Sequence, residues 1–326
     1  MSSLLGTSHP YQVVYYDPGL GTLNAGDQII SESARRYLEP LFEDCFSVNL
    51  SSHQATSFRY RRHLRESRET FVLGSNLLKA GMLFGFRQWD VSLLDTLQIS
   101  KCVLVGCGWQ TYQKNVDLYS KSLYRHLLSN ERLHSVRDEY TKEKLASFGI
   151  TNVINTGCAT MWGLTPDYCR TIPEDQASDV VVTITDYRKD PEKDASMISQ
   201  LLKIYDHVYI WPQGNGDEAY INDLGFKDKC GLLAPTLAAY DAFLKCHTDV
   251  DYVGTRLHGG IRALQHGRRT MIIAIDNRAR EMGTNYGLPV HERDDMSSLT
   301  NIVAKPFTTD IRIDEDSINR FLGQFK

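Results

Sequence analysis

Short runs of β-branched, aromatic and aliphatic residues alternate with longer amphipathic stretches along the chain, which is the pattern of βαβ units. In the first half, strands are predicted at 12–16, 46–50, 70–74, 101–106, 133–136 and 152–156. Helices are predicted between them, among them 27–38 and 138–149, and Asp138 is expected to be the N-cap of the second. The pattern therefore predicts an α/β fold built on parallel sheets.

The alternation is interrupted at residues 165–179, a polar segment with two prolines that is typical of a linker. Strands are predicted beyond it at 179–186, 207–212, 251–255 and 270–276, with helices near 192–205, 235–246, 258–267 and 314–325. We predict two Rossmann-like domains, 1–170 and 171–326, that face each other across a cleft. The last helix is a candidate to cross back to the first domain. Ligands are expected at the carboxyl ends of the strands, in the interdomain crevice.

Composition excludes several classes of protein. A length of 326 residues suits two α/β domains, and a net charge of −4 gives no basic field for nucleic acid. No apolar run approaches the roughly 18 residues of a membrane span, and residues 1–12 lack the features of a signal peptide, so a cytoplasmic location is expected. The seven cysteines are scattered without a CxxC pair, which favours reduced thiols and predicts no metal site.

The segment DYVGTRLHGG, residues 251–260, is the strongest candidate for chemistry. A predicted strand ends there, Arg256 and His258 follow, and two glycines open a helix. Free backbone N–H groups and the helix dipole favour anions at such a place. Arg256 is suited to bidentate binding of a carboxylate or phosphate, and His258 to proton transfer near neutral pH. The alternative interpretation is a surface arginine beside a capping histidine.

Two further segments place charged groups between a strand and a helix. Arg137 follows the strand at 133–136 directly, and an ordinary arginine paired with an aspartate is a serious alternative. Asp27 follows the glycine-rich turn after the first strand, and the alternative interpretation is that it is merely the N-cap of the next helix. That turn has the spacing of neither GxGxxG nor a P-loop, which argues against nicotinamide cofactors and P-loop chemistry.

Weaker candidates also follow predicted strands, and for each of them ordinary loop chemistry is at least as good an interpretation. They are 74–76, 106–108, Gln213, Asn215 and 276–278. An arginine run spans residues 59–68. A solvated helix face explains this run most simply, and a patch for an anionic acceptor or a lipid headgroup is the second interpretation. The run consists of Arg59, Arg61, Arg62, Arg65 and Arg68.

Taken together, these segments resemble the polysaccharide pyruvyl transferase family, in particular members from exopolysaccharide or capsule gene clusters. The matching stretches are NAGDQII, SVRDEYTKEKLASFGI, TGCATMW, VGTRLHGGIRALQHGRRTMIIAIDNRAREM and NYGLP, spread over roughly residues 24–290. The resemblance implies a fold similar to two-domain glycosyltransferases of the GT-B type. In one departure, this chain has Ala159-Thr160 where many members of the family have proline and serine.

The resemblance also implies an activity: transfer of a pyruvyl group from phosphoenolpyruvate to two hydroxyls of a sugar, in a polysaccharide or its lipid-linked precursor. The implied domain roles are acceptor binding by 1–170 and phosphoenolpyruvate binding by 171–326. No cofactor is implied besides the donor. The implied catalytic and substrate-binding residues are Asn24, Gly26, Asp27, Arg137, Arg256, Leu257 and His258.

Two other functions remain open at this point. One is a nucleotide-sugar-dependent glycosyltransferase on the same kind of fold, which should bind UDP or GDP. The other is a binding protein that keeps the fold without catalysis. Peripheral contact with a membrane is compatible with each function, and the sequence makes no prediction of oligomeric state.

Overall fold

The computed structural model describes residues 11–99 and 101–326. The prediction that the N-terminal segment is not a signal peptide falls on residues outside this description, and the side chain of Arg61 is also outside it. Within the described ranges no helix is both long enough and apolar enough to cross a membrane.

The β-strands of the described residues are β1 Gln12–Asp17, β2 Phe46–Ser51, β3 Glu69–Leu73, β4 Cys102–Val105, β5 His134–Val136, β6 Val153–Asn155, β7 Asp179–Thr183, β8 His207–Ile210, β9 Gly231–Leu232, β10 Val250–Gly254, β11 Thr270–Ala274 and β12 Val290–Glu292. Each strand predicted from the sequence coincides with one of these. Of the strands in the described residues, β9 and β12 were not predicted from the sequence.

The α-helices of the described residues are α1 Ala25–Leu38, α2 Arg61–Glu66, α3 Leu118–Leu127, α4 Glu139–Ala146, α5 Pro166–Cys169, α6 Pro191–Leu201, α7 Asp217–Asp223, α8 Leu237–Cys246, α9 Leu257–Gln265, α10 Asn277–Tyr286, α11 Leu299–Val303 and α12 Glu315–Gly323. Asp138 is the N-cap of α4, as predicted, and accepts a hydrogen bond from the Thr141 amide at 2.7 Å. The single turn α5 lies within the segment predicted as a linker.

The chain forms two compact units. Unit 1 comprises residues 1–22, 30–159 and 314–326, of which 1–10 and 100 are undescribed. Its main sheet is parallel, in the order β2-β1-β3-β4, and a further parallel pair is formed by β5 and β6. Phe325, just beyond α12, packs its ring edge against Phe71 of β3, with 5.1 Å between the ring centroids, so the end of the chain belongs to the core of this unit.

Unit 2 comprises residues 23–29 and 160–313 and therefore includes the first turn of α1. Its parallel sheet has the order β12-β11-β10-β7-β8-β9. The central strands β10 and β11 are buried along their whole length, as expected for a parallel sheet covered on both faces. The strand order reverses direction between β7 and β10. In open α/β sheets ligands bind outside the carboxyl ends of the strands at such a switch point.

Candidate functional site

At the switch point of unit 2, the ends of β7 and β10 approach each other very closely. Gly254 is paired with Thr183, and a Cβ atom added to Gly254 would lie 2.6 Å from the Thr183 amide nitrogen. The Thr255 amide then donates to the Thr183 carbonyl at 2.9 Å. Only glycine permits this approach, which brings the loops after both strands to one place.

A closed set of hydrogen bonds fixes the backbone of Arg256. Its amide donates to Thr183 Oγ1 at 3.2 Å, and its carbonyl accepts from the Tyr252 hydroxyl at 2.6 Å. The two hydroxyls lie 2.5 Å apart, and Tyr252, which already donates to the carbonyl, must here accept from Thr183. Both polar backbone groups of Arg256 are therefore held by the strands beneath it.

The guanidinium of Arg256 is paired with two carboxylates. The residue is only 5% exposed, Nε donates to Asp217 at 3.0 Å, and Nη2 donates to Asp186 at 2.9 Å and also to Asp217. The Tyr187 ring centroid lies 5.0 Å from Cζ. Burial alone would lower the pKa of Arg256, but the hydrogen bonds that its guanidinium donates to Asp217 more than offset this effect and raise the pKa. Arg256 is thus a permanently charged group in a fixed orientation.

Asp217 joins three loops of unit 2. Its side chain is fully buried and accepts hydrogen bonds from the amides of Gln213 at 3.1 Å, Gly214 at 2.8 Å and Asp186 at 3.1 Å. Together with the contact to Arg256, these bonds connect the loops that follow β7, β8 and β10. Asp217 was not predicted from the sequence. It follows a glycine-containing turn between a strand and a helix, which is the same signal that identified Asp27.

Helix α9 begins directly after Arg256, whose side chain makes no hydrogen bond to the start of the helix. His258, its second residue, is half-buried in the first turn, as is Leu257. A Cβ atom added to Gly260 would lie 2.7 Å from Ile272 and 2.8 Å from Tyr252, so the glycine lets α9 lie close on β10 and β11. The N-terminus of a helix held in this way is suited to bind an anion.

Asn24 connects the start of α1 to the loop after β8, all within unit 2. Its Oδ1 accepts from the amide of Gly26 at 3.1 Å and from Gln213 Nε2 at 3.0 Å, while its Nδ2 donates to Asp27 at 3.2 Å. The Ala25 amide donates to the Gln213 carbonyl at 2.9 Å. A Cβ atom on Gly26 would lie 2.6 Å from Gln213 Nε2. The structure therefore brings Asn24, Gly26 and Asp27 to the loop that also contacts Asp217.

The interpretation of Asp27 as an N-cap is wrong. Helix α1 begins at Ala25, so Asp27 is its third residue, and the polar residue before the helix is Asn24. The carboxylate of Asp27 is half-buried and accepts a hydrogen bond from Asn24 Nδ2 at 3.2 Å.

Arg137 lies in unit 1, directly after β5. Its amide donates to the Cys107 carbonyl at 3.0 Å, and its Nε donates to Asp138 at 3.2 Å, so the pairing with an aspartate that the sequence suggested is present. The side chain is 10% exposed and lies over Gly108, where an added Cβ atom would be 2.6 Å from the Arg137 Cζ. This geometry fixes the guanidinium next to a loop that follows a strand.

Of the weaker candidates, the residues after β11 reach the surroundings of Arg256. Asp276 is the N-cap of α10 and accepts a hydrogen bond from Arg278 Nε at 3.0 Å. Arg278 Nη2 in turn donates to the Tyr187 hydroxyl at 2.9 Å, and the Tyr187 ring lies over Arg256. Burial alone would raise the pKa of Asp276, but the charge of Arg278 lowers it.

A comparison with models of known protein families identifies the family of this chain. A family model described as "Polysaccharide pyruvyl transferase" matches residues 24–277. The chain belongs to the polysaccharide pyruvyl transferase family. The matched range contains Asn24, Asp27, Arg137, Arg256 and His258, so both units of this pyruvyl transferase family member contribute to it.

A solved structure agrees on the fold. The UDP-GlcNAc 2-epimerase from Methanocaldococcus jannaschii is similar with a TM-score of 0.55 at 12% identity, over 96% of this chain and 98% of that one. The S. aureus MnaA–UDP structure has a TM-score of 0.48 at 10% identity, over 96% of each chain. No curated protein sequence matches significantly. The predicted fold class, two Rossmann-like domains of the GT-B type, is confirmed for this family member.

Proposed function

We propose that this protein transfers a pyruvyl group from phosphoenolpyruvate to two hydroxyls of one sugar, in a polysaccharide or its lipid-linked precursor, with release of phosphate. The observation that carries the proposal is the pair Arg256 and His258 at the start of α9, next to the switch point of a sheet. Membership of the family supports the reaction class, since its members are pyruvyl transferases.

Phosphoenolpyruvate carries a phosphate and a carboxylate, and the start of α9 offers backbone N–H groups and a positive dipole end for one of them. Arg256 uses Nε and Nη2 for carboxylates of the protein, so Nη1 is the atom proposed to donate to the substrate. Arg137 is proposed as the second arginine because the donor has two anionic groups. The scheme requires no metal and no cofactor besides the donor.

In the proposed reaction, one sugar hydroxyl attacks C2 of phosphoenolpyruvate and loses its proton while the C3 methylene gains a proton and becomes a methyl group. The C–O bond to phosphate then breaks, phosphate leaves, and the second hydroxyl attacks C2 and loses its proton to close the ketal. His258 is proposed as a general acid or base in these proton transfers, and Asp27 as the group that activates a hydroxyl.

The test is acceptor-dependent release of phosphate from phosphoenolpyruvate, with galactose, mannose, glucose and N-acetylhexosamine acceptors in free and lipid-linked form. We expect His258→Ala to lower kcat by about 10²-fold or more, as for the loss of a general acid or base. His126→Ala, on the exposed face of α3, is the matched control and should leave turnover unchanged.

Two results would contradict the proposal. One is the absence of phosphoenolpyruvate binding and of phosphate release with every acceptor. The other is calorimetric binding of UDP or GDP without consumption of phosphoenolpyruvate, which would favour a nucleotide-sugar glycosyltransferase instead.

A further inference from the structure

Unit 1 exposes a group of large apolar side chains around the start of α3. Leu118, the first residue of this helix, is 83% exposed. Two neighbouring loops add side chains that are at least half exposed, and we call the whole group the apolar surface: Leu83, Phe84, Leu94, Leu97 and Leu118. Exposed apolar residues that occur singly need no explanation, whereas a contiguous group marks an interaction site.

Hydrogen bonds to α3 and to its N-cap hold the two loops in place. The Gly81 amide donates to the carboxylate of Asp117 at 2.6 Å, and the Met82 amide donates to Ser120 Oγ at 2.9 Å. The Leu93 amide donates to the Tyr119 hydroxyl at 3.0 Å. Since Met82 and Ser120 are fully buried, the chain beneath the apolar surface is anchored and its large side chains are held outward.

The arginine run flanks the apolar surface. Arg65 Nη2 donates to the Leu97 carbonyl at 3.3 Å, which places α2 beside one of its loops. The 3₁₀ turn Phe58–Tyr60 precedes α2 and adds two exposed aromatic rings, Phe58 at 66% and Tyr60 at 40%. Residues 58–68 carry five arginines against one glutamate, in a chain whose net charge is −4.

The acidic groups nearby are engaged in local contacts. Asp117 caps α3 and accepts from the hydroxyl of Ser120, while Asp95 accepts from the amide and hydroxyl of Ser92. Glu66 is paired with Arg62 at 3.0 Å. Arg59 and Arg65 are exposed, and their guanidinium groups add positive charge beside the apolar side chains.

We propose that the apolar surface and the arginine run together bind the anionic face of a lipid membrane. Apolar side chains that enter the headgroup region and arginines that pair with anionic lipids are the two components of peripheral membrane binding. The positive charge of the arginine run favours an anionic membrane over a second copy of this chain, because an apolar contact between two copies would bring two arginine runs together. The proposal stands independently of the reaction proposed above.

The test is co-sedimentation of the full-length protein with vesicles of phosphatidylcholine alone or mixed with phosphatidylglycerol. We expect binding to the anionic vesicles only, weakened at high salt. Arg59→Glu with Arg65→Glu should weaken it by about 30-fold or more, from the usual contribution of each basic residue. Phe84→Ser with Leu94→Ser should also weaken it.

Matched controls lie elsewhere on the surface. Phe46→Ser, with a side chain that is 80% exposed on β2, and Arg170→Glu, at 68% side-chain exposure after α5, should leave vesicle binding unchanged. Circular dichroism verifies that each variant is folded.

Three results would overturn this proposal: no binding, equal binding to neutral and anionic vesicles, or test variants that change self-association in light scattering and leave vesicle binding intact. Phosphate release with a soluble sugar distinguishes the two proposals. Turnover without vesicle binding contradicts only the membrane surface, and vesicle binding without turnover contradicts only the proposed reaction.

Discussion

The substitution Asp217→Asn tests how the site in unit 2 is built. Asparagine has nearly the same shape but no charge, so Arg256 would keep only Asp186, whose side chain is 30% exposed, as a charged partner. In addition, the amide group of asparagine has one acceptor oxygen for the three backbone N–H donors and the guanidinium that Asp217 now accepts.

The expected cost follows from this geometry. Removal of one partner from a buried ion pair typically destabilises a protein by about 3–5 kcal/mol. Because Asp186 remains, we expect the lower end, about 3 kcal/mol for unit 2. With about 2–4 °C per kcal/mol for a domain of this size, the midpoint of thermal unfolding of unit 2 should fall by roughly 6–12 °C.

The assay is thermal and urea unfolding of the wild type, Asp217→Asn, Arg256→Met and the double variant, with exposed Asp228→Asn as the matched control. The double variant should lose less stability than the sum of the single variants, with a coupling of about 2 kcal/mol. Additive losses, or a loss below about 1 kcal/mol in Asp217→Asn, would refute the claim that this ion pair organises the site.

Three further predictions concern other positions. Gly260→Ala should destabilise unit 2 by about 1–3 kcal/mol in urea unfolding, because the added Cβ atom would clash with β10 and β11. The control Gly323→Ala, with open space around the added atom, should be neutral or stabilising, and equal effects of the two substitutions would contradict this prediction. Burial alone would raise the pKa of Asp241, but the hydrogen bonds from Arg262 lower it to about 2. As pH falls, Asp241 therefore takes up a proton in the unfolded state before it does so in the folded state. Asp241→Asn should lower the free energy of unfolding by about 2 kcal/mol at pH 7 and by clearly less at pH 3. The same loss at both pH values would contradict the pairing of Asp241 with Arg262. Arg137→Ala should raise KM for phosphoenolpyruvate or lower kcat/KM in the phosphate-release assay, and unchanged kinetics would remove Arg137 from the proposed site.

The sequence predicts the local part of this structure well. The predicted strands carry apolar runs, as in β11, or an alternation of apolar and polar residues, as in β2, and the N-cap Asp138 lies directly before its helix. Both signals come from neighbouring residues. The position of Arg256 and His258 after a strand and at a helix start could be predicted for the same reason. The loop and helix borders around Asp27 were less well marked, and α1 begins two residues before it.

The parts of the site that the sequence did not predict depend on contacts between distant residues. Asn24 and Gln213 are 189 positions apart, and Asp217 and Arg256 are 39 positions apart. Periodicity and capping signals cover a single element, so they carry no information on which loops meet at a switch point. For that reason Arg256 was expected to be a free ligand for an anion, whereas the structure pairs it with Asp217 and Asp186.

The central claim is that the site catalyses ketal formation from phosphoenolpyruvate. The most direct measurement is NMR spectroscopy of the sugar product after turnover in D₂O. We predict a new ketal carbon bonded to two oxygens of one sugar and a methyl group that contains one deuterium, because C3 gains one deuteron from the solvent. An intact acceptor, or a product in which the three-carbon unit still carries its methylene group, would contradict this reaction.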